Sequence, residues 1–553
     1  MIQDMTKQNI WRTCLWGLSL CASLVLSSCL GEHPKDQIAE SEIYKTTTDI
    51  YTNAVASLYN YIGGSEESEG LQGTCRGIYD YNTLTTDEAI IPIRGGDWYD
   101  GGLWNAMYQH KWTATDEPLY DTWKYLYKVI MLTNKSLDVI EDHSNLFISE
   151  GQKLGYEAEV RAIRAMFYYY TMDMYGRIPL VLSAHEGQEG NVAVTQSLRS
   201  DVFRFVFKEL QEALPYLPTG RSNQEGAAYG RVTQAVASFL LAKLALNAEI
   251  YTYDNWVQGY QNRPDGKQIM FVVDGKTMNA WQTCVYYCNK VQSAGYVLES
   301  RYLDNFAAHN EKSNENIFTI PMDQDIYSAQ YHYQFRSYHY AHGAALGWGT
   351  ENGTCATIST MKANHYGEPD EDTRCYYNFV AGIVTVGNLV VTLDNGKPLE
   401  YQPFEVKQNL TNSPYVKTAG ARMAKYDVDR TSYMDGKLKS NDIVLFRYAD
   451  VLLMRAEAKV RDGEDGSEDM NAVRSRVNMP ARPATLDNIL EERLLELVWE
   501  GWRRQDLIRF GKYTGAYDLR EPLENESSGY TTVFPIPQRC IDLNNKLVQN
   551  FGY

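Results

Sequence analysis

Apolar residues recur at every third or fourth position through most of the chain, the spacing of helices that bury one face. In the segment 116–140, Leu119, Trp123, Leu126, Tyr127, Ile130 and Leu137 fall on one such face. The segment 157–175 repeats this with Ala158, Ala162, Ala165, Tyr169 and Met172, and Gly176 supplies the stop. Further helices are expected at 201–217, 233–251, 447–463 and 484–513; Leu490, Leu494, Leu497 and Val498 line a face of the last. An earlier one runs through 49–62, with Ser41 or Thr47 as its cap. Ala235, Ala242 and Ala245 alternate with bulky residues, which lets helices approach closely. Helical hairpins of this kind, without a strict motif, resemble degenerate tetratricopeptide units, whose period is about 34 residues.

The texture changes between residues 262 and 439, where short β-like runs alternate with turns such as Asp394-Asn395-Gly396. The pattern therefore predicts a mainly α body over 45–553: a helical scaffold at 45–261 and 440–553 carrying a mixed, loop-rich insertion at 262–439. At the other end, Lys7 and Arg12 precede an apolar run through Leu15, Leu18, Leu20 and Leu24, and Leu26-Ser27-Ser28-Cys29 closes it. This is the pattern of a bacterial lipoprotein signal, 1–28, with Cys29 as the lipidated residue and 29–44 as a flexible tether. Each buried methylene of the acyl chains adds roughly 0.8 kcal/mol of membrane affinity. The expectation is a chain anchored to the bilayer and not threaded through it.

Without its signal the chain is one unit more negative than the −18 of the whole sequence. Nucleic acid is excluded as a partner on that ground, because phosphate binding needs clustered cations. Tyrosine (42) and tryptophan (11) far outnumber phenylalanine (16), a surplus of rings with a polar handle that suits surfaces wet at one end. Cys75, Cys284, Cys288, Cys355, Cys375 and Cys540 remain in the body. Six cysteines in an exported chain allow many pairings, but Cys284 and Cys288 at i,i+4 suit a disulfide poorly, and buried free thiols are expected.

Six blocks carry a family resemblance: LSSC at 26–29, RAIRAMFYYYTMDMYGRIPLV at 161–181, NENIFTIPM at 314–322, RYADVLLMRAEA at 447–458, EERLLELVWEGWRRQDLIRFGK at 491–512 and FPIPQRCIDLNNKLVQNFGY at 534–553. In this order they resemble the SusD/RagB family of Bacteroidetes surface lipoproteins, over essentially the full mature length. The resemblance implies a tetratricopeptide-like fold with a mixed insertion, no catalysis and no cofactor. It also implies an outer-membrane, outward-facing location and a SusC-type TonB-dependent transporter as partner, for which the chain captures glycan. Glu32 and Asp36 loosely resemble the surface-export signal of such lipoproteins.

Two segments hold the candidate ligand residues. Residues 84–112 pack Asp87, Arg94, Asp97, Trp98, Tyr99 and Trp104 among Gly95, Gly96, Gly101 and Gly102, so an exposed loop is expected. Asp100 lies in the same run. A sugar offers a C–H face for stacking and hydroxyls for carboxylates and guanidinium groups, and this inventory supplies both. The rival reading has Trp98 and Trp104 plugging the core and Arg94 paired with Asp97. Residues 323–353 crowd Tyr327, Tyr331, Tyr333, Tyr338, Tyr340 and Trp348 around Arg336, forming either a sugar-binding arc or the filling between insertion and helices. Tyr333, Arg336, Tyr338 and Trp348 are the binding candidates there. His332, His339 and His342 lack acidic or thiol partners at ligand spacing, and no metal site is expected.

No catalytic motif is found. Gly275-Lys276-Thr277 imitates the end of a phosphate loop, but Met270 stands where that motif needs glycine, so a turn is expected. A lipid-anchored glycoside hydrolase needs only a carboxylate pair roughly 5–10 Å apart, and it remains the enzymatic alternative, beside a binding protein for peptides.

Overall fold

The computed structural model describes residues 43–185, 193–432 and 434–553; the expected signal, Cys29 and nearly all of the tether lie outside them. Chain contacts separate Met1–Ile50 from Tyr51–Tyr553. In the first unit Thr47–Ile50 form one helical turn. The cap is Thr46, whose Oγ1 accepts the Asp49 N–H at 3.2 Å, and not Thr47, which is already helical; Ser41 lies outside the described residues.

The second unit is mainly helical. Its long elements are α1 (Glu117–Asp142), α2 (Glu150–Tyr175), α3 (Arg199–Ala213), α4 (Gln234–Leu246), α5 (Ala280–Ser293), α6 (Tyr448–Asp462) and α7 (Leu486–Leu497). Their ends follow local chemistry. Pro118 sits in the first turn of α1, Ser149 caps α2 by accepting the Gln152 N–H at 3.2 Å, and Gly176 and Gly463 stop α2 and α6 at φ 68° and 97°. Helices pack as neighbours in pairs: α1 on α2, α2 on α3, α4 on α5 and α5 on α6. Ala158, Ala162, Ala165, Ala235, Ala242 and Ala245 are all buried between them, as the small-and-large alternation requires.

Two departures from the sequence pattern are informative. The stretch 484–513 is not one helix: α7 ends at Leu497 and a short helix, Arg503–Arg509, follows. The break holds Trp499 at φ 67° and Gly501 at φ 72°, and the Trp499 N–H donates to the buried Glu88 at 2.8 Å. A tertiary partner thus takes a backbone group that continued helix would have used. In the mixed segment a hairpin, Met270–Val273 with Lys276–Asn279, comes first and α5 follows, packing between α4 and α6 as part of the helical stack. Beyond α5 the strands are short and pair two by two. The longest pair is β1 (Asn316–Ile320) with antiparallel β2 (Ile443–Arg447), all ten residues buried. Asp274-Gly275 turns the hairpin Met270–Val273 to Lys276–Asn279, and Gly396 (φ 76°) turns the chain between Leu393 and Lys397, both as the turn residues predict.

The centre of the body is charged. Arg447 on β2 donates to Glu500 (2.8 Å), Glu315 (2.8 Å) and Glu496 (2.6 Å), every partner being about fully buried. Arg374 reaches Glu492 (2.6 Å) and the same Glu496 (2.9 Å). Burial alone raises a carboxyl, but Arg476, Arg447 and Arg374 hold Glu496 well below the usual carboxylate range. Such a network is costly to desolvate and costlier to break, so it fixes the insertion on the helices in one geometry. The six body cysteines are free thiols, with Cys284 and Cys288 4.0 Å apart inside α5. Among the described residues no helix is long and apolar enough to cross a membrane.

Candidate functional site

The glycine-rich run at 94–104 folds as the composition demands. Arg94 N–H donates to the Asp97 carbonyl at 3.0 Å, closing a tight turn over Gly95 and Gly96. Trp98 (φ 63°) and Asp100 (φ 40°) then adopt the left-handed region, followed by Gly101 and Gly102 and a short helix, Leu103–Tyr108. Left-handed backbone is rare for a tryptophan and costs about 1–3 kcal/mol, a strain typical of ligand-binding segments. What holds Trp98 there is visible: its Nε1–H donates to the Glu351 carbonyl at 2.9 Å and its ring covers Gly353, where a Cβ would stand 2.5 Å from the ring.

Trp98 and Trp104, with ring centroids 5.9 Å apart at 58°, form one side of a cleft of about 330 Å³. Glu67, Asp97, Asp100, Arg76, Arg336, Tyr340 and Glu351 supply its polar lining. Asp97 accepts from Lys417 (2.6 Å) and from the Tyr340 hydroxyl (2.9 Å); the Lys417 bond, ahead of burial, keeps its carboxyl below the ordinary value. Arg76 bridges Asp100 (3.0 Å) and Glu67 (3.3 Å), and Asp100 also accepts the Trp104 Nε1–H at 2.7 Å. Arg336 is fixed from below by both oxygens of buried Asp80 and by its bond to Thr354 Oγ1 at 2.9 Å. Arg76 and Arg336 both stand over the Trp104 ring, at 5.7 and 5.6 Å. Trp104 is only 2% exposed and belongs to the core, as the rival reading had it, so the cleft offers the Trp98 indole backed by Trp104 and rimmed by carboxylates, a guanidinium and a phenol. A second hollow of about 480 Å³ adjoins it, sharing Glu67, Arg76 and Asp100.

Of the residues expected from sequence, Asp97, Trp98, Trp104 and Arg336 meet in this cleft although more than two hundred positions separate the first three from the last. Tyr99 lies beside Trp98 in sequence and is 59% exposed. Five others are placed elsewhere and are corrected here. Arg94 is wholly buried and spends its guanidinium on the carbonyls of Ala419 (2.9 Å), Val416 (3.2 Å) and Gly353; burial, then neighbouring Arg422, pushes it down to about 9. Its link to Asp97 is through backbone and not through an ion pair. Asp87 is clamped by Arg503 at 2.7 Å through both oxygens. Tyr333 is core, its hydroxyl donating to Gln72 at 2.8 Å. Tyr338 stacks on His342 at 4.1 Å, and Trp348 lies buried under the Lys439 ammonium, 3.3 Å from its ring centre. Most of the aromatic run at 323–353 thus fills the space between insertion and helices, and Arg336, Tyr340 and Glu351 are what it gives the cleft.

Arg76, Glu67, Glu351 and Lys417 escaped sequence reasoning, since none stands in a motif. In the loop at 64–77 that supplies Glu67 and Arg76, Ser68 (φ 64°) and Arg76 (φ 61°) are left-handed without being glycine, a conformation their residue types do not announce. His339 Nδ1 accepts the Ala341 N–H at 3.0 Å and His342 Nδ1 faces the Tyr401 hydroxyl at 3.2 Å, so both rings are occupied locally.

Comparison with known proteins agrees with this architecture. Residues 275–553 match the family described as the SusD family, and residues 89–246 match one described as starch-binding, associating with the outer membrane. The starch-binding protein SusD of Bacteroides thetaiotaomicron is 25% identical over 88% of this chain and 87% of its own. A SusD-like protein of Bacteroides ovatus is 23% identical over 92% and 84%. The fold superimposes on the surface glycan-binding protein A from Bacteroides thetaiotaomicron, solved with laminarihexaose, with a TM-score of 0.67 at 21% identity, covering 91% of this chain and 99% of that one. With one family model spanning half of its length and the same fold over nine-tenths of it, the chain belongs to the SusD family.

Proposed function

We propose that the protein captures glycan at the outer-membrane surface and passes it to a SusC-like TonB-dependent transporter, without catalysis. The observation that carries this reading is the Trp98 cleft, where a half-buried indole, backed by buried Trp104, meets Asp97, Asp100, Arg76 and Tyr340 in one concave site. A sugar stacks its C–H face on such a ring and shares its hydroxyls with the polar rim. The names of relatives that bind starch and laminarihexaose support glycan as cargo. In this reading Cys29 carries the lipid, 29–44 is the tether, and 45–553 is one body with its insertion at 262–439. Modest affinity is sufficient, because a transporter held beside the capture site raises the effective concentration of cargo.

The test is calorimetry of residues 30–553 against plant, host and microbial glycans, with reducing-end release assayed on the same samples. Binding to one glycan class without product supports capture. Released sugar overturns the non-catalytic reading, and silence across glycans with binding of peptides overturns the cargo.

A further inference from the structure

Another cleft of the body shares no lining residue with the Trp98 cleft. It measures about 570 Å³, within the range of about 300–1,000 Å³ common for ligand pockets. Tyr51, Tyr59, Tyr229 and Tyr327 line it, together with Arg231 and Asn60.

Three of these phenols are fixed from behind. The Tyr59 hydroxyl donates to Glu159 at 2.6 Å and accepts the Val232 N–H at 3.0 Å, while Tyr51 reaches the same carboxylate at 3.4 Å. The Tyr229 hydroxyl donates to Asp442 at 2.9 Å. Glu159 and Asp442 are each only 1% exposed. The polar ends of the rings are thus held by buried carboxylates, and ring carbon is left to face the cleft. Tyr327 differs: it is 41% exposed at the rim and its hydroxyl has no partner among the described residues.

Charge narrows the occupant. Arg231 is the only ionised side chain in the lining, and Glu159 neutralises it with a bond from Nε at 3.1 Å and a second from the guanidinium terminus. A charged ligand gains no counter-ion here. The guanidinium also donates to the Ala227 carbonyl at 2.8 Å and lies over the Tyr51 ring, so rigid ring surfaces are left for the C–H faces of a pyranose, and Asn60 and the Tyr327 hydroxyl suit its hydroxyls. We propose that this cleft is a second saccharide site, for an uncharged oligosaccharide, independent of the Trp98 cleft. It shares only its cargo class with the function proposed above, and each site stands or falls alone.

Tryptophan separates the two experimentally. Trp98 and Trp104 line the first cleft and no tryptophan lines the second, so indole fluorescence reports the first while calorimetric stoichiometry counts both. The mature chain, Trp98→Ala, Tyr327→Ala and the double variant are titrated with maltohexaose, laminarihexaose and mannohexaose. The expected result is that at least one of them binds Trp98→Ala at one site, and at least tenfold more weakly once Tyr327→Ala is added. Tyr327→Phe, which keeps the ring, retains more than half of the affinity. If Trp98→Ala binds none of the three, or binds equally well with and without Tyr327, the second site is refuted. Binding by the wild type that vanishes with Trp98 alone refutes it while leaving the first cleft intact. Capture of a neutral peptide by the Tyr327 rim, with no sugar, refutes the saccharide assignment.

Discussion

Trp98→Ala and Trp348→Ala remove the same side chain from two environments, and their contrast tests the placement of the site. Trp348 is 5% exposed beneath Lys439, so its loss leaves a cavity and an unshielded ammonium; buried tryptophan truncations cost about 3–5 kcal/mol. Trp98 is half-buried, and folding loses one neutral hydrogen bond to Glu351, about 1 kcal/mol, while the left-handed strain stays, since alanine carries a Cβ as tryptophan does. The net cost in stability is therefore about 1 kcal/mol, well below that of Trp348→Ala. Binding behaves oppositely. An aromatic hot spot at the centre of a site is worth about 2 kcal/mol or more, which is roughly thirtyfold in affinity. Urea unfolding and calorimetry on both variants give four numbers. The expected pattern is Trp98→Ala stable and weak-binding, Trp348→Ala destabilised and, while folded, binding normally. A Trp98→Ala protein as unstable as Trp348→Ala, or one that binds like wild type, refutes the assignment of Trp98 to a ligand platform.

Gly353→Ala places a Cβ 2.5 Å from the Trp98 ring and must displace it, so we expect weaker glycan binding with a Tm close to wild type, read by calorimetry and thermal melting. Arg447→Met removes the cation shared by Glu315, Glu496 and Glu500 and should cost about 3–5 kcal/mol in urea unfolding; a neutral outcome means that the network is not a source of rigidity. Stability should peak near neutral pH. Burial, helped by nearby cations, pushes His332 down to about 3, His339 to about 4 and His342 to about 3, so the unfolded chain takes up their protons first. Stability then falls as pH drops from about 6.5 towards 4, by up to about 1.4 kcal/mol per pH unit for each ring. Burial lifts Glu88 to about 8 and Asp442 to about 7, so the native state binds their protons first and stability falls as pH rises through that range. Denaturation midpoints across this window check both limbs, and His342→Gln should flatten the acidic one.

The helical stack was legible in the sequence because burial of one helix face imposes a period that any window of the chain displays. The glycine stop at 176 and the turns at Gly275 and Gly396 were equally local, since a backbone conformation and the residue that permits it stand at one position. The glycine-rich loop announced that the chain near Trp98 leaves regular structure. What the sequence could not decide is which polar and aromatic side chains remain available once the chain is folded. Arg94 and Asp97 are three residues apart, yet one is consumed by carbonyls in the interior and the other lies at the cleft. Tyr338 and Tyr340 are closer still, and only the second reaches Asp97. Arg76 and Glu351 join Trp98 through contacts spanning long stretches of chain, and Trp499 breaks a helix because a distant carboxylate, Glu88, accepts its N–H. Periodicity reports whether a side chain faces inward; only the tertiary structure assigns the partner that it meets there, and that partner decides whether it binds a ligand or holds the fold.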